Sequence, residues 1–250
     1  MTNKSIHYLD ARGPDGVRLY VIGDVHGCIG LLKSMHHKIM REIEHDQVND
    51  WRIILVGDYC DRGPDVRSTL DYLIAICAHE KRIVPLMGNH DQDFLEFLNR
   101  PRSNGLFARY GGIETSASYG VELDTRTPGA LKLCHESLVR AVPSAHRDFL
   151  SSLPLTTEYG DFFICHAGIR PNIPFDQQDP IDLVWIRSEF LEYPGLHPKV
   201  IVHGHTPCRT AEVMPNRVNV DTAAVWSGTL TALVVDGAEK RLIDVSGSRR

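Results

Sequence analysis

Three short apolar runs in the first part of the chain each stop at a glycine followed by an acid or an amide. Leu19 to Ile22 runs into Gly23-Asp24, Ile53 to Val56 into Gly57-Asp58, and Ile83 to Met87 into Gly88-Asn89. Runs this short, cut by turn formers, read as buried strands. Between them apolar residues recur at helical spacing, as Ile29, Leu32, Met35, Ile39 and Ile43, then as Val66, Leu70, Leu73, Ile74 and Cys77. Alternating strand and helix predicts an α/β architecture with a mainly parallel sheet. The stretch from Asp91 to Gly160 is more helical and irregular; Ser144 is expected to cap a helix over 145–152 that buries Phe149, Leu150 and Leu153. Strand signals return at Phe162 to Cys165, Val200 to Val202, Val218 to Val220 and Thr229 to Val235. Asp236-Gly237 reads as a hairpin turn leading back along Arg241 to Val245, so both ends of the chain belong to one sheet system.

Composition narrows the function classes. The 250 residues are 42% hydrophobic and 24% charged, which excludes disorder, collagen and coiled coil and predicts one domain over 1–250. Apolar stretches such as Tyr72 to Ala78 are far too short to span a bilayer, and the N-terminus lacks the apolar core of a secretory signal; no membrane partner and a cytoplasmic location are expected. Cys28, Cys60, Cys77, Cys134, Cys165 and Cys208 form no C-x-x-C pair and read as reduced, packed thiols. Lys+Arg 27 against Asp+Glu 32 gives a net charge of −5, with only Ser248-Arg249-Arg250 as a small basic tail. No nucleic-acid partner is expected on that balance, and the chain is expected to be a monomer.

The polar residues at the strand ends are metal-ligand types: Asp24-Val-His26, Asp58, Asp61, Asn89-His90, His166 and His203-Gly-His205. Open α/β sheets bind ligands beyond the carboxyl ends of their strands, so segments far apart in sequence can converge there. Residues two apart on a strand end face one side, which lets Asp24 and His26 grip the same ion. Gly23, Gly27, Gly57, Gly63, Gly88, Gly168 and Gly204 flank these positions and permit tight turns. Carboxylate, carboxamide and imidazole without thiolate suit Mn, Fe or Zn. Asp24, His26, Asp58, Asn89, His166 and His205 are six donors, about right for two divalent ions sharing a bridging carboxylate, for which Asp58 is the natural choice.

Gly23-Asp-Val-His-Gly27 resembles GDxHG, Gly57-Asp-Tyr-Cys-Asp-Arg-Gly63 resembles GDxxDRG, and Gly88-Asn-His-Asp91 is similar to GNH[DE]. His166-Ala-Gly168 and Gly204-His205 look like the last two motifs of the same series. Together they resemble the phosphoprotein phosphatase family of calcineurin-like metallophosphoesterases, in its compact bacterial and phage branch. The resemblance implies an α/β/β/α sandwich with two central mixed sheets. It also implies Asp24, His26 and Asp58 as ligands of a first ion, and Asp58, Asn89, His166 and His205 as ligands of a second, with manganese the expected metal. The family's catalytic acid falls on His90, paired with Asp61, and its phosphate-binding arginines fall on Arg62 and Arg187.

The implied reaction is hydrolysis of a phosphomonoester, with a phosphoprotein or small phosphoester as substrate and a serine/threonine protein phosphatase as the first reading. A symmetrical dinucleoside tetraphosphate hydrolase is the alternative within the family, because Asp91 stands where eukaryotic protein phosphatases resembling this chain carry Glu and where that hydrolase carries Asp. The presence of Asp61 weighs against that alternative. A metal-binding scaffold without activity would have lost a ligand or the acid, and a nuclease would show a basic groove. His203 is expected to be packed or to orient a ligand. His7, His36, His37, His45, His79, His135, His146 and His197 are expected on solvated surfaces. Cys60 and Cys165 are expected in the core; Trp185 and Trp226 could line a substrate groove, but packing at the interface of sheet and helix is the favoured expectation.

Overall fold

The computed structural model describes residues 5–247; the basic tail Ser248-Arg249-Arg250 and the first four residues lie outside them. The first half runs β1 (Val17–Ile22), α1 (Ile29–His45), β2 (Asp50–Leu55), α2 (Val66–His79), β3 (Ile83–Pro85) and α3 (Asn89–Asn99). Four further helices follow: α4 (Leu106–Arg109), α5 (Gly112–Ser118), α6 (Pro128–Ala141) and α7 (Ser144–Ser151). The second half carries β4 (Thr156–Tyr159), β5 (Phe162–Cys165), α8 (Pro180–Trp185), α9 (Ser188–Leu191) and β6 (Val200–His203). It closes with β7 (Glu212–Val213), β8 (Arg217–Asn219), α10 (Ala224–Ser227), β9 (Thr229–Asp236) and β10 (Glu239–Ser246).

Among the described residues the strands form two five-stranded sheets, ordered β10-β9-β1-β2-β3 and β4-β5-β6-β8-β7. In the first, β1, β2 and β3 are parallel, whereas β9 runs antiparallel to β1 and pairs with β10 across the Asp236-Gly237 turn. In the second, β5, β6 and β8 are parallel and the edges β4 and β7 are antiparallel. Both sheets are therefore mixed rather than mainly parallel. The first strand and the last two share one sheet, as the sequence pattern predicts.

Strand alternation builds the layers. Leu19, Val21, Ile54 and Val56 of one sheet meet Phe162, Ile164, Val200 and Val202 of the other in an apolar layer between the sheets. Tyr20, Ile22, Ile53 and Leu55 point the opposite way, onto Leu32, Met35 and Ile39 of α1 and Leu70 and Leu73 of α2. Phe163, Cys165 and Ile201 likewise turn outward to Leu183 of α8 and Phe190 of α9. Full burial of such a side chain contributes about 1.5–3 kcal/mol, so the sandwich stands without disulfides or a structural metal.

Two strands and one cap depart from the sequence reading. β4 is largely polar and β7 has two residues, so neither carries the apolar signature of a buried strand. Ser144 is the first residue of α7 and its side chain makes no cap; Pro143 occupies the capping position. Phe149, Leu150 and Leu153 nevertheless pack as expected. No helix among the described residues is long and apolar enough to cross a membrane.

Candidate metal centre

The loops leaving β1, β2, β5 and β6 and the start of α3 meet at one end of the sandwich. The backbone there is strained: His26, Asp58, Asp61, Arg62 and His205 all have positive φ, between 42° and 71°. Left-handed backbone costs a non-glycine residue roughly 1–3 kcal/mol, so the surroundings must enforce it. Asp91, at the start of α3, does much of this. Its buried carboxylate accepts the backbone N–H groups of Asp58, Tyr59 and Cys60 at 2.8, 2.9 and 3.0 Å, and that of Gly88 at 3.1 Å. The two loops are thereby clamped together. A Cβ on Gly88 would collide with the backbone nitrogen and the carboxylate of Asp58, so only glycine allows this approach.

Asp58 lies between two groups of potential ligands. Its Oδ2 is 3.4 Å from Nε2 of His26, and its Oδ1 is 3.4 Å from Nε2 of His166. On the second side, Oδ1 of Asn89 lies 2.8 Å from Nε2 of His166 and 2.9 Å from Nδ1 of His205. Ligand atoms of His26, Asp58 and His90 fall within 4.8 Å of one another, as do those of Asp58, His166 and His205, with Asp58 common to both groups. Asp24 is buried in the same loop cluster, where it accepts the His205 backbone N–H at 3.1 Å and faces Asp221. Asp24 and His26 lie beyond the end of β1 rather than on it, because the chain turns sharply at His26.

Tautomers follow from the carbonyl partners. Nδ1 of His26 donates to the Cys60 carbonyl at 2.7 Å and Nδ1 of His166 to the Val56 carbonyl at 3.0 Å, which leaves both Nε2 lone pairs aimed inward. Burial holds His166 down to about 3 and lowers His26 and His205 as well, so all three rings are neutral near pH 7. Burial also pushes the Asp58 carboxyl up to about 6 and that of Asp24 well above the usual range, each reinforced by neighbouring carboxylates. Buried carboxylates crowded together beside rings with inward lone pairs favour a cation among them. The buried Nε2 of His205 has no hydrogen-bond partner among the described residues. An oxygen and nitrogen donor set of this kind fits divalent cations of hard to borderline character.

Beside this cluster stands a second array. Nδ1 of His90 lies 2.7 Å from Oδ2 of Asp61, and Thr115 of α5 donates its hydroxyl to the other carboxylate oxygen at 2.8 Å while accepting the Asp61 backbone N–H at 2.9 Å. Arg62 spans the two arrays, with Nη1 donating to Nε2 of His26 at 2.8 Å and Nη2 to Nε2 of His90 at 2.6 Å. Arg187 is an exposed residue at the rim, 3.3 Å from the Thr206 hydroxyl and 3.4 Å from the His205 carbonyl. The six expected ligands and the four expected catalytic residues thus lie in or beside one cluster.

Other positions differ from expectation. His146 is buried between the Tyr119 hydroxyl and Asp71, and His197 is buried against Phe190 and Tyr193; neither is solvated. His203 packs edge-on against Phe190 at 5.0 Å. Cys60 and Cys165 are buried as expected. Trp185 and Trp226 do not fill an interface: they are 40% and 58% exposed at opposite edges of the cluster. Trp226 lies 5.2 Å from the Arg62 guanidinium, and Trp185 meets the edge of His205 at 6.1 Å. Thr115 and Asp221 had no motif to mark them, whereas Asp91 was visible in Gly88-Asn-His-Asp91 without its clamping role.

Comparison with known proteins agrees with this architecture. The chain is 28% identical over 232 residues to a bis(5'-nucleosyl)-tetraphosphatase PrpE (asymmetrical) of Anoxybacillus flavithermus, covering 85% of this chain and 88% of that protein. It is 27% identical over 234 residues to the protein of that name from Oceanobacillus iheyensis, with 86% and 88% covered. A crystal structure described as that of a candidate diadenosine tetraphosphatase superposes with a TM-score of 0.64 at 22% identity, covering 92% of this chain and 94% of the other. A metallophosphoesterase from Sphaerobacter thermophilus gives 0.52 at 17% identity over 94% and 89%. The family model for calcineurin-like phosphoesterases matches residues 17–228, and the chain belongs to that family.

Proposed function

We propose that the protein is a hydrolase requiring two divalent metal ions, manganese being the expected pair, that cleaves dinucleoside tetraphosphates. Asp24, His26 and Asp58 would hold one ion, and Asp58, Asn89, His166 and His205 the other. The observation that carries this reading is the position of Asp58, whose two oxygens each face a different histidine at 3.4 Å. Bound ions would draw charge from the phosphate oxygens and make water acidic enough to act as a nucleophile. The chain's own residues supply the rest. Arg62 and Arg187 bind phosphate oxygens through forked guanidinium groups and stabilise the charge that builds during transfer. His90 protonates the leaving oxygen at Nε2, held in orientation by Asp61, which Thr115 fixes in turn.

The substrate class rests on the two relatives of 28% and 27% identity, both named asymmetrical tetraphosphatases. That support favours the dinucleotide alternative over the first reading of the sequence as a serine/threonine protein phosphatase, and asymmetrical over symmetrical cleavage. A second reading keeps the protein phosphatase in view on a specific observation. The intact pair of His90 and Asp61 is most useful when the leaving group is a poor one such as a serine alkoxide. A nucleotide leaving group departs with less help. Incubation with diadenosine tetraphosphate and with a phosphoserine peptide, with the products separated, tests the proposal. ATP plus AMP is expected. Two ADP would make cleavage symmetrical, and rapid peptide dephosphorylation with an untouched dinucleotide would reverse the order of the readings.

A further inference from the structure

An indole 58% exposed beside a strongly polar cluster contributes little to the core, and the backbone goes to some length to place it. Trp226 sits on the short α10, between two left-handed residues, Ala223 at φ 57° and Gly228 at φ 71°. Ala223 pays a strain that glycine would not. Its N–H is held at 2.9 Å by the carboxylate of Asp221, the same residue that faces Asp24 in the metal centre. Trp226 is therefore indexed to the centre through one side chain.

A second link runs through Arg62. The guanidinium that donates to both His26 and His90 lies 5.2 Å from the centroid of the Trp226 ring. On its flank Trp226 lines a cavity of about 530 Å³ with Arg209, Thr210, Thr222, Ser227 and Asp244. Phosphate-binding fork, flat aromatic surface and polar cleft thus follow one another outward from the centre. A nucleoside 5'-phosphate has the same order of parts: phosphate, then sugar, then a flat base with polar edges.

We infer that Trp226 is the stacking platform for the nucleobase attached to the phosphate that is attacked. The inference rests on the dinucleotide reading above. Any base has a π-face, so a stacking platform recognises nucleotides with little preference among bases; the hydroxyls and charges of the cleft then meet the base edges and the ribose. A phosphoserine peptide offers no such ring.

The test compares two inhibitors that differ by the base alone. With manganese saturating and p-nitrophenyl phosphate as reporter substrate, AMP should inhibit the wild-type enzyme about tenfold more strongly than ribose 5-phosphate, as stacking of one base predicts. Trp226→Leu should bring the two inhibition constants to within about twofold of each other by weakening AMP, and Trp226→Phe should keep most of the difference. Trp185→Leu, at the His205 end, should leave the ratio as in the wild type. The inference is overturned by a wild-type ratio near one, by an unchanged ratio in Trp226→Leu, or by loss of the ratio in Trp185→Leu. Equal weakening of both inhibitors in Trp226→Leu also overturns it, since the indole would then act only by holding Arg62. Diadenosine tetraphosphate turnover is read separately. A Trp226-dependent ratio without that turnover would remove the substrate reading and leave the platform, and turnover with a Trp226-independent ratio would do the reverse.

Discussion

Nη2 of Arg62 donates to Nε2 of His90 at 2.6 Å, so the nitrogen to which the proposed mechanism assigns the proton of the leaving group is accepting one from a guanidinium. Arginine cannot act as the acceptor, and the other nitrogen of His90 is committed to Asp61 at 2.7 Å. In this arrangement His90 is neutral, and burial lowers its pKa further. Under the proposed mechanism a bound phosphate would draw the guanidinium onto its own oxygens and free Nε2 to hold a proton.

Arg62→Ala should therefore cost about 10²- to 10³-fold in kcat/KM with metal content unchanged. Arg62→Lys should recover little, because an ammonium cannot fork. Arg187→Ala should cost less, since it is exposed at the rim and bonds only at 3.3 and 3.4 Å. Wild-type kinetics for Arg187→Ala on two unrelated phosphoesters would remove it from the site.

The role of His90 is read from the leaving group. His90→Asn should lower turnover of an alkyl phosphate by about 10²- to 10⁴-fold and of an aryl phosphate by less, because a phenolate departs without a proton. Thr115→Val should follow the same trend more weakly, by releasing one oxygen of Asp61 while leaving metals in place. A plot of log rate against leaving-group pKa, with chemistry limiting, should be steeper for both variants. Equal slopes would mean that His90 is not the acid.

Asp91 is expected to act on stability before activity. Asn at that position would turn an N–H₂ group toward backbone donors that now number four, so Asp91→Asn should destabilise the metal-free protein by about 3 kcal/mol in urea unfolding. A loss below about 0.5 kcal/mol would show that the clamp contributes little.

Acid sensitivity has a source remote from the motifs. His197 is buried against Phe190 and Tyr193, its Nε2 has no hydrogen-bond partner among the described residues, and burial holds its pKa down to about 4. An unfolded histidine titrates near 6.5, so between roughly pH 6.5 and 4 the unfolded chain binds the extra proton. Stability from this group is full above that window and is lost as pH falls through it. His197→Phe should narrow the fall in Tm between pH 7 and pH 4.5, and an unchanged fall would contradict the assignment.

Legibility in the sequence followed how local each signal is. The six strand-end donors and the pair of Asp61 and His90 lie in contiguous motifs whose glycines mark the turns, and the structure brings them together. Thr115 reaches Asp61 from 54 positions away on a helix without distinctive residues, and no local pattern could announce that contact. Asp221 sits in a plain strand-to-turn segment and is identified only by the fold that lays it against Asp24. For the tryptophans the sequence leaves groove lining and interface packing both open and favours the second, because large aromatics are usually buried; only three-dimensional placement shows Trp226 under Arg62. The polar edge strand β4 escaped because an edge needs no continuous apolar run.

The central claim is that one carboxylate, Asp58, joins two metal sites. Equilibrium dialysis of the purified protein against manganese, with Asp58→Asn beside the wild type, tests it most directly. Two ions per wild-type chain are expected, with both sites weakened together in Asp58→Asn and hydrolysis lost. Two tightly held ions and a wild-type rate in Asp58→Asn would contradict the account.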